Sequence, residues 1–138
     1  MIVIDTGVLL AYFAASDPDH RSVVDFLDST SERLVTTPLV LAELDYFVLD
    51  RFGPRVEARV LQRVIDSNME ILPFGAHELY ACVRILDRYR DLELGLTDAS
   101  VIAAADASGT RRIATLDIKD FGAVAPVSGG SFELLPRR

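Results

Sequence analysis

Four acidic residues, Asp5, Glu43, Asp98 and Asp117, stand in four well-separated segments of the 138-residue chain. Asp5 ends the short apolar run Ile2-Val3-Ile4, and Asp117 follows the run of residues 113–116. Asp98 comes just after Thr97 at the head of an alanine-rich stretch, while Glu43 lies inside residues 38–51, a stretch apolar on nearly every side. Taken singly, each has a plain structural explanation. Asp5 and Asp98 would complement helix N-termini, worth roughly 0.3–1 kcal/mol each, Asp117 would open a turn, and Glu43 would reach solvent. Glu43 strains that explanation, because a helix apolar all round is packed on several sides and a buried carboxylate needs a partner. No basic residue occurs between Arg33 and Arg51 to supply one locally. Three aspartates and a glutamate could instead share a hard divalent cation. Mg²⁺, or Mn²⁺ in its place, suits carboxylate and water ligands, whereas zinc more often recruits histidine or cysteine. His20 and His77 lie outside the four segments, and Cys82 is the only cysteine.

The elements that would position these groups alternate along the chain. Residues 2–4, 34–36, 69–72, 112–116 and 132–135 have strand character. Residues 7–14, with Thr6 placed to cap them, and residues 20–27, 38–51, 54–66, 76–89 and 97–107 have helical periodicity or helix-start signals such as Pro38 and Pro54. Only residues 127–131 have the character of a loose linker. Strands alternating with helices imply an α/β fold, with a central parallel sheet of four to five strands covered by helices on both faces. At 138 residues, half of them hydrophobic, a single domain over residues 1–138 is expected. In open parallel sheets ligands bind outside the carboxyl ends of the strands. Asp5 and Asp117 are the acidic residues expected there, and adjacent strands, about 5 Å apart, would bring them together.

Charge narrows the partners. The net charge is −7, so the molecule as a whole repels nucleic acid, and a polyanionic substrate needs a local device. The carboxylates offer a cation site. Thirteen of the fourteen basic residues are arginine, whose planar fork suits phosphate, although a GC-rich genome would produce the same bias. Arg111, Arg112 and Lys119 flank the Asp117 segment and are the better candidates for phosphate contact. The arginines of residues 51–63 and 84–90 have acidic neighbours to pair with. Neither a span of about 20 apolar residues nor a basic region ahead of an apolar one is present, so no membrane partner is expected. The lone cysteine fits a reducing cytoplasm.

Four segments, taken in order, resemble a known family. Ile4-Asp5-Thr6-Gly7-Val8-Leu9-Leu10-Ala11, Leu41-Ala42-Glu43-Leu44, Leu96-Thr97-Asp98-Ala99-Ser100, and Thr115-Leu116-Asp117 followed by Asp120-Phe121 are similar to PIN-domain ribonucleases of the VapC type, the toxins of VapBC toxin-antitoxin pairs. The resemblance spans essentially the whole chain. Gly7 departs from the small polar residue common at that position. The resemblance implies a PIN-like three-layer fold and a Mg²⁺-dependent endoribonuclease that leaves a 5′-phosphate and a 3′-hydroxyl. Asp5, Glu43, Asp98 and Asp117 match the acidic catalytic quartet, with Asp5, Asp98 and Asp117 as metal ligands and Glu43 ligating or orienting water. Thr6 and Thr115 match auxiliary hydroxyl positions, and Asp120 a further auxiliary. The expected partners are RNA, a cognate VapB-type antitoxin bringing a basic side chain toward the acidic site, and a second copy in a homodimer. The apolar share of the chain points to a homodimer independently.

Two other readings compete. An aspartyl-phosphate phosphatase or receiver-type domain would use Asp5 as nucleophile, but Thr6 and Gly7 follow it where a second acid is wanted, and Lys119 lies past Asp117. A non-catalytic RNA-binding or partner-binding module on the same fold would not need a complete acidic quartet. No glycine-rich nucleotide-binding motif of either common type occurs.

Overall fold

The computed structural model describes residues 1–137, so Arg138 of the expected domain lies outside the described residues. Five short strands form one sheet in the order β3-β2-β1-β4-β5, every pair parallel. They are β1 (Ile2–Ile4), β2 (Leu34–Thr36), β3 (Glu70–Ile71), β4 (Arg112–Ala114) and β5 (Glu133–Leu135). Among the described residues seven α-helices, with a 3-10 turn at Arg90–Leu92, join and flank them: α1 (Thr6–Phe13), α2 (His20–Ser29), α3 (Pro38–Phe52), α4 (Pro54–Asp66), α5 (Ala76–Arg88), α6 (Leu96–Ser108) and α7 (Ile118–Gly122).

Consecutive side chains of a strand point to opposite faces of its sheet. All three residues of β1 are fully buried, as are Val35 in β2 and Ile113 and Ala114 in β4. Both faces of the sheet centre are therefore covered, and a run of β-branched residues without alternation is what such a strand requires. Helix α1 buries Val8, Leu9, Leu10 and Ala11 in succession, and α6 buries Ala99 to Ile102 together with Ala104 and Ala105. Small residues let α6 lie close, and it packs on β1, β4, α3 and α5.

Four local expectations are corrected. Asp5, not Thr6, is the N-cap of α1: its side chain accepts the Thr6 N–H, and Thr6 is already the first helical residue. Strand β4 stops at Ala114 rather than Leu116, because Thr115 and Asp117 turn the chain into α7, a five-residue helix too short to leave a periodic signal. Strand β3 is two residues long. Helix α3 is not packed on all sides: Val40, Leu44 and Val48 are buried, while Tyr46, Leu49 and Phe52 are exposed. No helix among the described residues is long and apolar enough to cross a membrane.

Candidate active site

The strand pairing fixes the first two acids. Ile4 of β1 lies opposite Ala114 of β4, and the Asp5 N–H donates to the Ala114 carbonyl at 2.9 Å. Asp5 and the Thr115–Asp117 turn therefore leave the same edge of the sheet. Helix α3 brings Glu43 and the first turn of α6 brings Asp98. All four carboxylates line one cavity of about 310 Å³, with Thr6 beside them and Leu10, Phe47 and Leu116 as apolar wall. A larger cavity, about 650 Å³, opens between α1, α2 and α4 around Tyr12, Phe13 and Arg63, and its lining includes none of the four.

Asp5 is the deepest of these acids, only 6% exposed. Its Oδ1 accepts the Thr6 N–H at 2.8 Å and its Oδ2 accepts the Thr115 hydroxyl at 2.8 Å. The same hydroxyl accepts the Asp117 N–H at 3.0 Å, and Asp117 Oδ1 caps α7 by accepting the Asp120 N–H at 2.9 Å. One threonine thus ties two acids together. Asp120, which sequence ranks only as an auxiliary, belongs with the central acids: carboxylate oxygens of Asp98, Asp117 and Asp120 all lie within 4.8 Å of one another. Its signal is the cap itself, an aspartate three residues before it aimed at its N–H.

Crowding of like charge shows in the proton affinities. Burial, and then the charges of Asp5, Asp117, Asp120 and Glu43, push the Asp98 carboxyl up to about 7. Burial pushes Asp5 up to about 6 against the opposing hydrogen bonds from Thr115 and Thr6, with Glu43 and Asp117 adding repulsion. Asp120 is also raised, by burial and by Asp117, with Lys119 pulling the other way. Among the described residues no arginine, lysine or histidine forms an ion pair with any of these five acids. Thr6 Oγ1 is buried beside them without a hydrogen-bond partner. An all-oxygen donor set with uncompensated negative charge fits a hard divalent cation and does not fit a soft one.

Residues 2–125 match the family model described as the PIN domain. The chain belongs to the PIN-domain family. It is 42% identical over 135 residues to Ribonuclease VapC26 of Mycobacterium tuberculosis (strain ATCC 25618 / H37Rv), covering 98% of this chain and 100% of that protein. Its fold is similar to that of Mycobacterium tuberculosis VapC20, a Sarcin-Ricin loop cleaving toxin, with a TM-score of 0.82 at 19% identity over 92% of this chain and 98% of the other. It is similar also to the structure of VapBC2 from Rickettsia felis bound to a DNA fragment from their promoter, with a TM-score of 0.72 at 18% identity over 99% and 100% of the two chains.

This PIN domain separates the basic residues that sequence groups together. Arg112 opens β4, at the end of the strand opposite to Asp117, and is held in ion pairs with Glu32 and with Glu133, the latter at 3.2 Å. The Arg111 guanidinium lies against Gly130, where a Cβ would collide with it. Proximity in sequence to Asp117 misleads here, because a strand stands between them. Lys119, on α7, stays near the acids and acts on Asp120 electrostatically. At Gly7 a Cβ would meet only Leu116 Cβ, at an ordinary 3.9 Å, so packing does not demand the glycine. Two further hydroxyls carry no signal of their contact in sequence. Thr37, the N-cap of α3, and Ser100 in α6 are 2.9 Å apart and almost wholly buried.

Proposed function

We propose that this chain is a Mg²⁺-dependent endoribonuclease and the toxin of a type II toxin-antitoxin pair, acting in the cytoplasm. The observation that carries this reading is the convergence of Asp5, Glu43, Asp98 and Asp117 in one cavity of a PIN domain 42% identical to a named ribonuclease. Asp5, Asp98 and Asp117 would hold the cation, with Asp120 close enough to join them and Mn²⁺ able to substitute. When bound, the cation supplies an acidified water and neutralises charge developing on the phosphate.

The chain's own groups prepare that chemistry. Thr6 N–H and the Thr115 hydroxyl fix both oxygens of Asp5, so its carboxylate is preorganised rather than free to turn. The Asp98 carboxyl, pushed up to about 7, loses its proton around neutrality, so the cavity would take a divalent cation more readily as the pH rises. Glu43 would ligate the cation or orient its water, and Leu10, Phe47 and Leu116 give the cavity an apolar wall. Lys119 meets the phosphate backbone of the RNA.

The partner is a cognate VapB-type antitoxin, which brings positive charge to a site where, among the described residues, no basic side chain pairs with the acids. A second copy of the chain covers apolar surface left on α3 and α5, where Tyr46 and Tyr80 are 66% and 71% exposed. Cleavage of RNA by the purified chain, with and without Mg²⁺ and alongside Asp98→Asn, tests the reading. Metal-independent cleavage, or wild-type cleavage by Asp98→Asn, would overturn it. RNA binding without cleavage would leave a non-catalytic module.

A further inference from the structure

The carboxylates of Glu43 and Asp98 arrive on different helices, so the site exists only if α3 and α6 start at a fixed distance from each other. Their charges oppose this, since two carboxylates facing one cavity repel. The two helices are joined near their N-terminal ends by the hydroxyls of Thr37, the N-cap of α3, and Ser100, in the second turn of α6. Thr37 Oγ1 accepts the Val40 N–H at 3.2 Å, as an N-cap does. Ser100 Oγ donates to the Thr97 carbonyl at 2.6 Å, one residue before Asp98. A hydroxyl has one proton to give. Ser100 has given its own to Thr97, so across the 2.9 Å contact Thr37 is the donor and Ser100 the acceptor. The result is a directed chain from the Val40 N–H, through Thr37 and Ser100, to the Thr97 carbonyl. Thr37 is 2% exposed and Ser100 1%, so no water replaces a lost partner.

We propose that the Thr37–Ser100 hydroxyl pair is a clasp that holds α3 and α6 at the spacing Glu43 and Asp98 need to act on one cation. Both are positioning residues; neither touches the cation or substrate. The inference rests on the reading of the acidic cavity as a cation site. It also explains a polar contact in an otherwise apolar helix packing, where a buried hydrogen bond contributes only about 0.5–1.5 kcal/mol net and an aliphatic pair would pack as well.

Calorimetric titration of Mn²⁺ alone into the intact protein separates the possibilities, with circular dichroism confirming the fold of each variant. Thr37→Val and Ser100→Ala each weaken Mn²⁺ binding by roughly 10- to 100-fold, the range for groups that orient ligands. The double variant is no weaker than the worse single one, because one chain of hydrogen bonds is lost either way. Thr37→Ser, which keeps the hydroxyl, binds within about threefold of wild type. Should Thr37→Val fail to fold, Ser100→Ala alone, which removes the hydroxyl without adding bulk, gives the same comparison. Folded variants that melt lower yet bind Mn²⁺ as tightly as wild type would show packing alone and overturn the clasp. Wild-type protein that binds no Mn²⁺ would overturn the cation site itself.

Discussion

Thr115 donates its hydroxyl proton to Asp5 Oδ2 at 2.8 Å across 110 residues of sequence. Because its oxygen is already occupied by the Asp117 N–H, the proton has one direction to go, and Asp5 is offered a donor only while that oxygen is unprotonated. The bond opposes the burial that raises Asp5. Thr115→Val therefore raises the Asp5 pKa further, and both Mn²⁺ affinity and cleavage fall by roughly 10- to 100-fold. Thr115→Ser retains both. Titration calorimetry and a cleavage time course read the two effects.

Removal of a central acid has opposite effects on activity and stability. Asp98→Asn lowers cleavage by about 100-fold or more, beyond the usual loss from an outer-sphere group, while the metal-free protein at about pH 8 melts higher than wild type. Asp98 in the folded state binds its proton near pH 7, against 3.8 for an ordinary aspartate. The folded chain thus holds more protons than the unfolded one between those values, and stability is lost as pH rises through this window. Asn has no proton to lose. At about pH 4 the melting advantage of Asp98→Asn shrinks away, and calorimetric scans at the two pH values decide the matter.

Divalent cations reverse that loss. At about pH 8 Asp5 and Asp98 are largely ionised and repel, and Mg²⁺ stabilises the folded state by binding it preferentially. At about pH 5 protons occupy both groups and compete with the cation. The melting shift produced by Mg²⁺ is expected to be large at about pH 8 and near zero at about pH 5, and EDTA abolishes it. An equal shift at both values would contradict the placement of the cation on these acids.

The basic residues divide by position. Lys119→Ala weakens RNA binding and reduces the salt dependence by the equivalent of about one phosphate contact. Arg112→Ala leaves cleavage and its salt dependence unchanged and lowers the melting temperature, because Glu32 and Glu133 lose a shared partner. Fluorescence anisotropy over a salt series separates the two variants.

Light scattering is expected to return twice the 15.2 kDa chain mass at micromolar concentration. Glutamate in place of both Tyr46 and Tyr80 shifts the protein toward the monomer, since burying either charge in an interface is costly.

Much of this arrangement is legible in sequence, for physical reasons that also mark where legibility stops. Ile2-Val3-Ile4 announces a buried strand and Asp5 marks its end, while Pro38 and Pro54 mark helix starts because proline fits the first turn. The acids of the cavity are visible because each adjoins such a marked element. Helix α7 is invisible because five residues carry no period, so Asp120 lost the cap that explains it. Arg111 and Arg112 read as neighbours of Asp117, yet the two ends of a strand face opposite edges of the sheet. Thr37 and Ser100 lie 63 positions apart, and no local pattern joins them. The outward face of α3 escaped because an apolar residue covered by solvent reads the same as one covered by protein.

The strand order carries a consequence for synthesis. Strand β1 is made first, but one of its edges stays unpaired until β4 at Arg112–Ala114 has been made, and Asp117 comes later still. A growing chain therefore has Asp5 and Glu43 long before it has a site, because the sheet closes only across more than a hundred residues, from β1 to β4. The acidic cavity is complete only once the last fifth of the chain has been added, so on the proposed function an inhibitor already present would meet the site as it forms.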